Sequence, residues 1–225
     1  KAVWLDLSVG SADLGNYADI EDARALHRRI FAVHGDQTGI GRYDEVRPFY
    51  TSDAYEVRGN QGPQRRTVHI GLDIFMPPGT PVFAPLEGRV HSFQDNAHDR
   101  DYGPTIILEH RVAGDLRFYT LYGHLTRTSL AGLAVGQIIA AGQAFCQIGP
   151  MPENGNWSPH LHFQVILDML GKSGDYPGVA FPELREVWTS LCPDPWLLLT
   201  GQFSPRPEAS GMEESLQFRK AHLGK

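Results

Sequence analysis

Two histidines stand two residues apart in SPHLHFQV, His160 and His162, inside a run that otherwise has the composition of a buried strand. Residues i and i+2 of a strand share a face, so both imidazoles emerge side by side while Leu161 and Phe163 take the other face. Such a pair can bind a metal or move protons near neutral pH. The plain alternative is two surface histidines on a solvated sheet. RTVHIGLDI adds His69 and Asp73, four apart, with Gly71 between them. In an unbroken strand those two side chains would stand about 13 Å apart, too far for one ion. A shared metal therefore demands a bend, which glycine permits. LYGHL puts His124 at a strand end, again beside a glycine. Two neutral imidazoles and a carboxylate are a recurring ligand set for catalytic zinc, with water in the fourth position. Zinc brings the pKa of that water to about 7. A hydrolase also needs a proton shuttle and a group to hold the developing oxyanion. Two histidines remain for those tasks once three ligands are taken.

The elements that must position these residues are mostly strands. From Arg65 onward, RTVHIGLDIFM, TPVFAP, GRVHSF, PTIILEH, LRFYTLYGH, GQIIAAGQAFCQIG and PHLHFQVIL are short runs rich in Val, Ile, Thr, Phe and Tyr, punctuated by Gly and Pro. PTIILEH and LRFYTLYGH, separated by residues 111–115 including Gly114, read as a hairpin. The expectation is a mainly β protein with an antiparallel core, sandwich- or barrel-like, over residues 65–200. Residues 1–64 form a lead-in: a helix over about Ile20–His34, with acidic Asp19 and Asp22 at its start and Gly35 as its C′ glycine, then a long ordered loop with room for short strands. His27 and His34 are expected on the helix surface. A short helix over about Glu183–Leu191 is expected to pack Val187, Trp188 and Leu191. Residues 201–225 read as a linker opening into a helix, toward a following domain.

Hydrophobic residues make up 41% and charged residues 20% of the 225, an ordinary globular composition. The net charge of −6 argues against nucleic acid or an anionic membrane as partner, and no apolar run approaches membrane-spanning length. KAVWLDLSVG shows neither an initiator Met nor a signal peptide, which fits a segment excised from a longer chain. Cys146 and Cys192 are too few for a disulfide framework. Cys146, in AFCQIG, is expected to pack as a small hydrophobe, and a reducing compartment is expected.

HIGLD, YGHL and HLHF, in that order with GTPVFAPLEGRV between the first two, resemble the lysostaphin-type (LytM-like) zinc metalloendopeptidases. The resemblance spans about Arg65 to Val165. It implies that His69, Asp73 and His162 bind zinc. It also implies that His124 and His160 orient the attacking water and stabilise the oxyanion, and that peptide bonds of the peptidoglycan type are the substrate. Ser158 and Pro159 stand where the family commonly has Gly, and Gln164 where it often has Glu. A broader likeness, including SLCPDPWLLL and FRKAHLG, is to the peptidase-like middle domain of fusion proteins that also carry a kinase-like domain and a class III aminotransferase. It implies adjacent domains and a cytoplasmic location, in which a catalytically silent metal-binding module is the alternative function.

Two other likenesses fail on single residues. A biotinyl or lipoyl carrier needs a modifiable Lys on an exposed hairpin, and none occurs between Lys1 and Lys172. A phosphocarrier with two facing histidines would leave Asp73 without a role. His91, His98, His110 and His222 lie outside the motifs and are expected to be surface or hydrogen-bonded residues. Asp95, Asp99 and Asp101, in DNAHDRD, read as a solvated acidic loop with a second option at the cleft rim. Trp157 is expected either in the cleft or as a core anchor. Arg65 and Arg66 are expected at the rim, with YDEVRPFY (residues 43–50) folded over the groove.

Overall fold

Alternating apolar residues give each strand one face to bury, and here both faces of the central strands are covered. The computed structural model describes residues 1–59, 62–112 and 116–205. Its strands are β1 (Ala2–Leu5), β2 (Thr38–Gly41), β3 (Glu45–Val46), β4 (Glu56–Gly59), β5 (Gly62–Arg65), β6 (Val68–His69), β7 (Leu72–Phe75), β8 (Pro81–Phe83), β9 (Gly88–Asn96), β10 (Gly103–Arg111), β11 (Arg117–Gly123), β12 (Ile138–Ile139), β13 (Ala144–Gln147), β14 (His160–Ile166) and β15 (Val179–Ala180). Its helices are α1 (Tyr17–Glu21), α2 (Ala23–His34), α3 (Arg185–Leu191) and α4 (Pro195–Thr200). The main sheet has eight strands in the order β1-β2-β7-β14-β11-β10-β9-β12. It is antiparallel except for β1 and β2, which run parallel. β15-β6-β3, β13-β8 and β4-β5 form three small sheets.

The two faces of the main sheet feed different cores. Ile106, Leu108, Tyr122, Leu161 and Phe163 pack with Val82, Cys146 and Ile148 on one side. Ile107, Leu121 and Ile166 pack with Tyr102, Tyr176 and Cys192 on the other. A third cluster belongs to the lead-in and joins Leu5, Leu26, Ile30, Phe49 and Tyr50 to Phe75 and Trp157. Every residue of β14 is buried, so the two histidines do not lie on a solvated face.

The lead-in departs from its sequence reading at several points. The expected single helix is two. Asn16 caps α1 in a reciprocal capping box with Asp19, and Asp22 caps α2 by accepting from the Ala25 N–H. Asp22 has extended backbone and its side chain competes for the next turn's amides, which breaks the helix there. His34 is buried, not on the surface, and holds the Gln37 carbonyl through Nδ1. His27 is half-buried and bonds the Ser158 hydroxyl at 2.9 Å. The N-terminal residues form β1, paired with β2 at the edge of the main sheet.

At the other end, α3 follows a short 3-10 turn (Pro182–Leu184) and packs Trp188 and Leu191, but Val187 is exposed. Asp101 is half-buried rather than solvated, while Asp95 pairs with Arg127. Gly114, His222 and the helix expected in the tail lie outside the described residues. No helix among the described residues is long and apolar enough to cross a membrane.

Candidate metal centre

The bend demanded at Gly71 is a change of sheet. β6 carries His69 in the small sheet, and two residues after Gly71 β7 carries Asp73 in the main one. His69 Nε2 and Asp73 Oδ1 thereby come within 3.2 Å. Gly71 is required for a second reason: a Cβ there would sit 2.3 Å from Cε1 of His162. Asp73 is the register partner of His162 across β7 and β14. His162 Nδ1 lies 3.1 Å from Asp73 Oδ1 and 3.0 Å from His69 Nε2. His160 Nε2 lies 3.6 Å from the same carboxylate oxygen, its ring stacked on Phe75. His124 follows the end of β11 with a left-handed backbone, φ 63°, a costly state for a non-glycine residue. It is held there by its N–H on the Tyr102 carbonyl. Its ring is 4.3 Å from that of His160. All five residues are buried.

Outer partners set which ring nitrogen carries the proton. His69 Nδ1 faces the Arg42 carbonyl, His160 Nδ1 the Ser158 carbonyl and His124 Nδ1 the Asn154 carbonyl. A carbonyl only accepts, so each Nδ1 bears the hydrogen and each Nε2 keeps a lone pair. His162 is turned the other way. Its Nε2 meets Oε1 of Gln164 at 3.0 Å, and the amide of Gln164 is oriented by donating to the Pro177 carbonyl. Gln164 therefore stands behind His162 and not in the cleft, and its oxygen orients that ring as a carboxylate would. Three lone-pair atoms, His69 Nε2, His162 Nδ1 and Asp73 Oδ1, then face one another with no hydrogen between the two nitrogens. Lone pairs at 3.0 Å repel unless a cation sits among them. The separations of 3.0 to 3.2 Å are close to the edge of a tetrahedron with ligands at zinc distances, about 3.3 Å. These three residues are the described set whose ligand atoms converge closely enough to hold one metal ion.

Protonation fits the same occupant. Burial lowers His69 to about 4, and the Arg47 charge acts in the same direction. Burial also lowers His160, and burial with the neighbouring histidines lowers His124 far more. Burial alone would raise the Asp73 carboxyl, but its interactions with the surrounding imidazoles and the charge of Arg47 outweigh it and hold it well below the usual carboxylate range. Neutral imidazoles and an ionised carboxylate are the forms a metal takes.

Sequence reading missed Arg47, which is buried and donates to Asp73 Oδ2 at 2.5 Å, to Glu45 Oε2 at 2.9 Å and to the Arg42 carbonyl. The guanidinium takes Oδ2 and leaves Oδ1 to the cluster. Glu45 balances the Arg47 charge, so the negative charge of Asp73 is not spent on it. The aromatics of residues 43–50 point to a segment over the groove. Phe49, Tyr50 and Arg47 all line the cavity, but nothing local marked Arg47 as a partner of Asp73. Tyr102, also missed, lies with its hydroxyl 3.4 Å from His162 Nε2.

The cluster opens into a cavity of about 340 Å³. The lead-in walls one side through Leu26, Ile30 and Tyr55, and residues 172–179 wall another. Trp157 fills both expected roles: it is buried in the lead-in core and lines the cavity. Arg66 lines it as well, and Arg65 is exposed and paired with Glu56.

Residues 67–173 match the profile of peptidase family M23. No curated protein matches the chain. Among solved structures, the catalytic domain of the antimicrobial peptidase lysostaphin from Staphylococcus simulans is 22% identical over 68% of this chain and 94% of that one, with a TM-score of 0.40. The catalytic domain of the prophage-encoded M23 protein EnpA from Enterococcus faecalis, in a mutant form, is 24% identical over 52% and 77%, with a TM-score of 0.37. The matched block contains the motifs HIGLD, LYGH and HLHF, so the part of the chain that carries the five clustered residues is the part similar to peptidase family M23.

Proposed function

We propose that the chain is a zinc metalloendopeptidase acting on peptides of the peptidoglycan type, with His69, Asp73 and His162 as the metal ligands and His124 and His160 as the acid–base pair. The observation that carries this reading is the triangle of bare acceptor atoms at 3.0 to 3.2 Å. When bound, zinc would supply a polarised water with a pKa near 7. The chain supplies the rest. His160 and His124 both present an unprotonated Nε2, so both start as bases. One takes the proton of the attacking water at Nε2 and returns it to the leaving amine. Once protonated, that same Nε2–H is the donor available to the developing oxyanion. Gln164 and the Arg42 carbonyl hold the ligand imidazoles in the required tautomers. Arg47 fixes the carboxylate so that Oδ1 faces inward.

A metal-binding module without turnover is the second reading. Free, buried Cys146 and Cys192 support the reducing, cytoplasmic setting that belongs to that reading.

Metal analysis and glycine-peptide hydrolysis test the proposal together. About one zinc per chain is expected, lost in Asp73→Asn. His160→Ala should keep the zinc and lower kcat by about 10²- to 10⁴-fold. Zinc binding without hydrolysis of any peptide by the unaltered chain would leave the silent module.

A further inference from the structure

A second buried guanidinium lines the same cavity and, unlike Arg47, forms no ion pair with a carboxylate among the described residues. Arg100 is 6% exposed. Its Nη2 donates to the Glu21 carbonyl at 3.1 Å, while Nη1 is buried with no hydrogen-bond partner among the described residues. No ion pair forms with it there. Asp99, Glu21 and Asp22 attract it only from longer range, and burial lowers its pKa. A buried charge without a counter-charge is costly, and this one is held in place on purpose-built supports. Its backbone is left-handed, φ 63°. Its N–H is tied to the Gly155 carbonyl and its carbonyl accepts the Tyr55 hydroxyl. Its guanidinium lies 4.6 Å from the centre of the Trp157 ring. Arg66 lines the same cavity, with its guanidinium over Tyr55.

The position relative to the chemistry is fixed by one ring. Trp157 neighbours both Arg100 and His124, with its ring centre 4.6 Å from the Arg100 guanidinium and 6.3 Å from the His124 ring. That span is covered by at most about three residues of extended chain. The cavity's 340 Å³ is the size of a small-ligand site.

We infer that Arg100 receives the terminal carboxylate of a short peptide, so that the substrate ends within about three residues of the bond that is cut. This rests on the peptidase reading and narrows it from polymer cross-links to free peptide ends. Hydrolysis adds one water across the C–N bond. The acyl side leaves as a new carboxylate, and the amine product keeps the original carboxylate at Arg100.

The test compares triglycine with triglycinamide, followed by calorimetry and by Trp fluorescence. It uses the metal-free chain, because zinc itself grips carboxylates. Triglycine should bind at least about tenfold tighter than the amide. Arg100→Gln should erase that difference and Arg100→Lys should restore part of it. Equal binding of the two ligands to the unaltered chain overturns the inference without recourse to any variant. A preference that survives Arg100→Gln also overturns it. Inorganic phosphate displacing triglycine from a site with no free-end preference would assign the guanidinium to a phosphorylated ligand instead. The two proposals fail separately. Amide-blocked peptides cut by the zinc-loaded chain as fast as free ones sink the carboxylate site and leave the peptidase. A free-end preference with no cleavage sinks the peptidase and leaves the site.

Discussion

The cavity has two ends, each with a buried arginine, and they are built on opposite rules. At the metal end, Arg47 donates to Asp73, Glu45 and the Arg42 carbonyl, and each of the four histidines has an outer partner. At the far end, Arg100 has one carbonyl, one aromatic ring and an unpartnered Nη1. A satisfied cluster holds geometry before any ligand arrives. An unsatisfied one stores a demand that a ligand meets. The contrast assigns position to Arg47 and recognition to Arg100.

The largest expected effect comes from the satisfied end. Arg47→Met leaves the buried Glu45 with only the Leu7 N–H and the more distant Arg42 guanidinium, and frees Asp73 Oδ2. Breaking a buried pair from one side costs about 3–5 kcal/mol, and urea unfolding of the metal-free protein should show a loss of that size. A loss under about 1 kcal/mol would mean that the ion pairs do not hold this end together, and the comparison would collapse.

Acidification should come next. His69 is lowered to about 4 in the fold from about 6.5 in the unfolded chain. Between those values the unfolded chain binds a proton that the folded one refuses, so stability falls as pH drops through that window. His124 and His160, also lowered, act with the same sign. The metal-free chain should lose on the order of 3 kcal/mol between pH 7 and pH 4, measured as the shift in urea midpoint. His69→Ala should flatten part of that slope, whereas Arg100→Met should leave it alone. A flat profile in the unaltered chain would contradict the neutral, tautomer-locked histidines.

The same division runs through what the sequence made legible. His69, Asp73, His124, His160 and His162 stand in short strings whose spacing exposes them, and the period of two in β14 separates Leu161 and Phe163 from the histidine face. The need for a bend at Gly71 also followed from strand geometry. What was not legible depends on chain segments meeting across long separations. Arg47 reaches Asp73 only because β3 lies beside β6, and no periodic pattern in residues 36–64 announces two-residue strands. Arg100 sits in an acidic string, HDRD, which local reading assigns to solvent. It is buried because Trp157, Tyr55 and the end of α1 close over it. The break at Asp22 was missed because the apolar spacing of α2 continues through it, while a single side-chain cap decides the boundary.

The smallest effect is the most pointed. Replacing a buried, paired charge by an apolar side chain is expensive, as at Arg47. Replacing a buried charge that lacks a counter-ion removes a desolvation cost and sacrifices one hydrogen bond to the Glu21 carbonyl and one stacking contact with Trp157. Those losses are each about 1 kcal/mol, the same order as the relief. Arg100→Met should therefore change the unfolding free energy of the ligand-free chain by no more than about 1 kcal/mol, and a gain is as consistent as a loss. Arg47→Met and Arg100→Met remove the same group from two buried positions of one cavity, so the gap between their midpoints chiefly reports pairing. If both variants lose 3 kcal/mol or more, Arg100 is a structural strut and its unpartnered nitrogen has no ligand to explain.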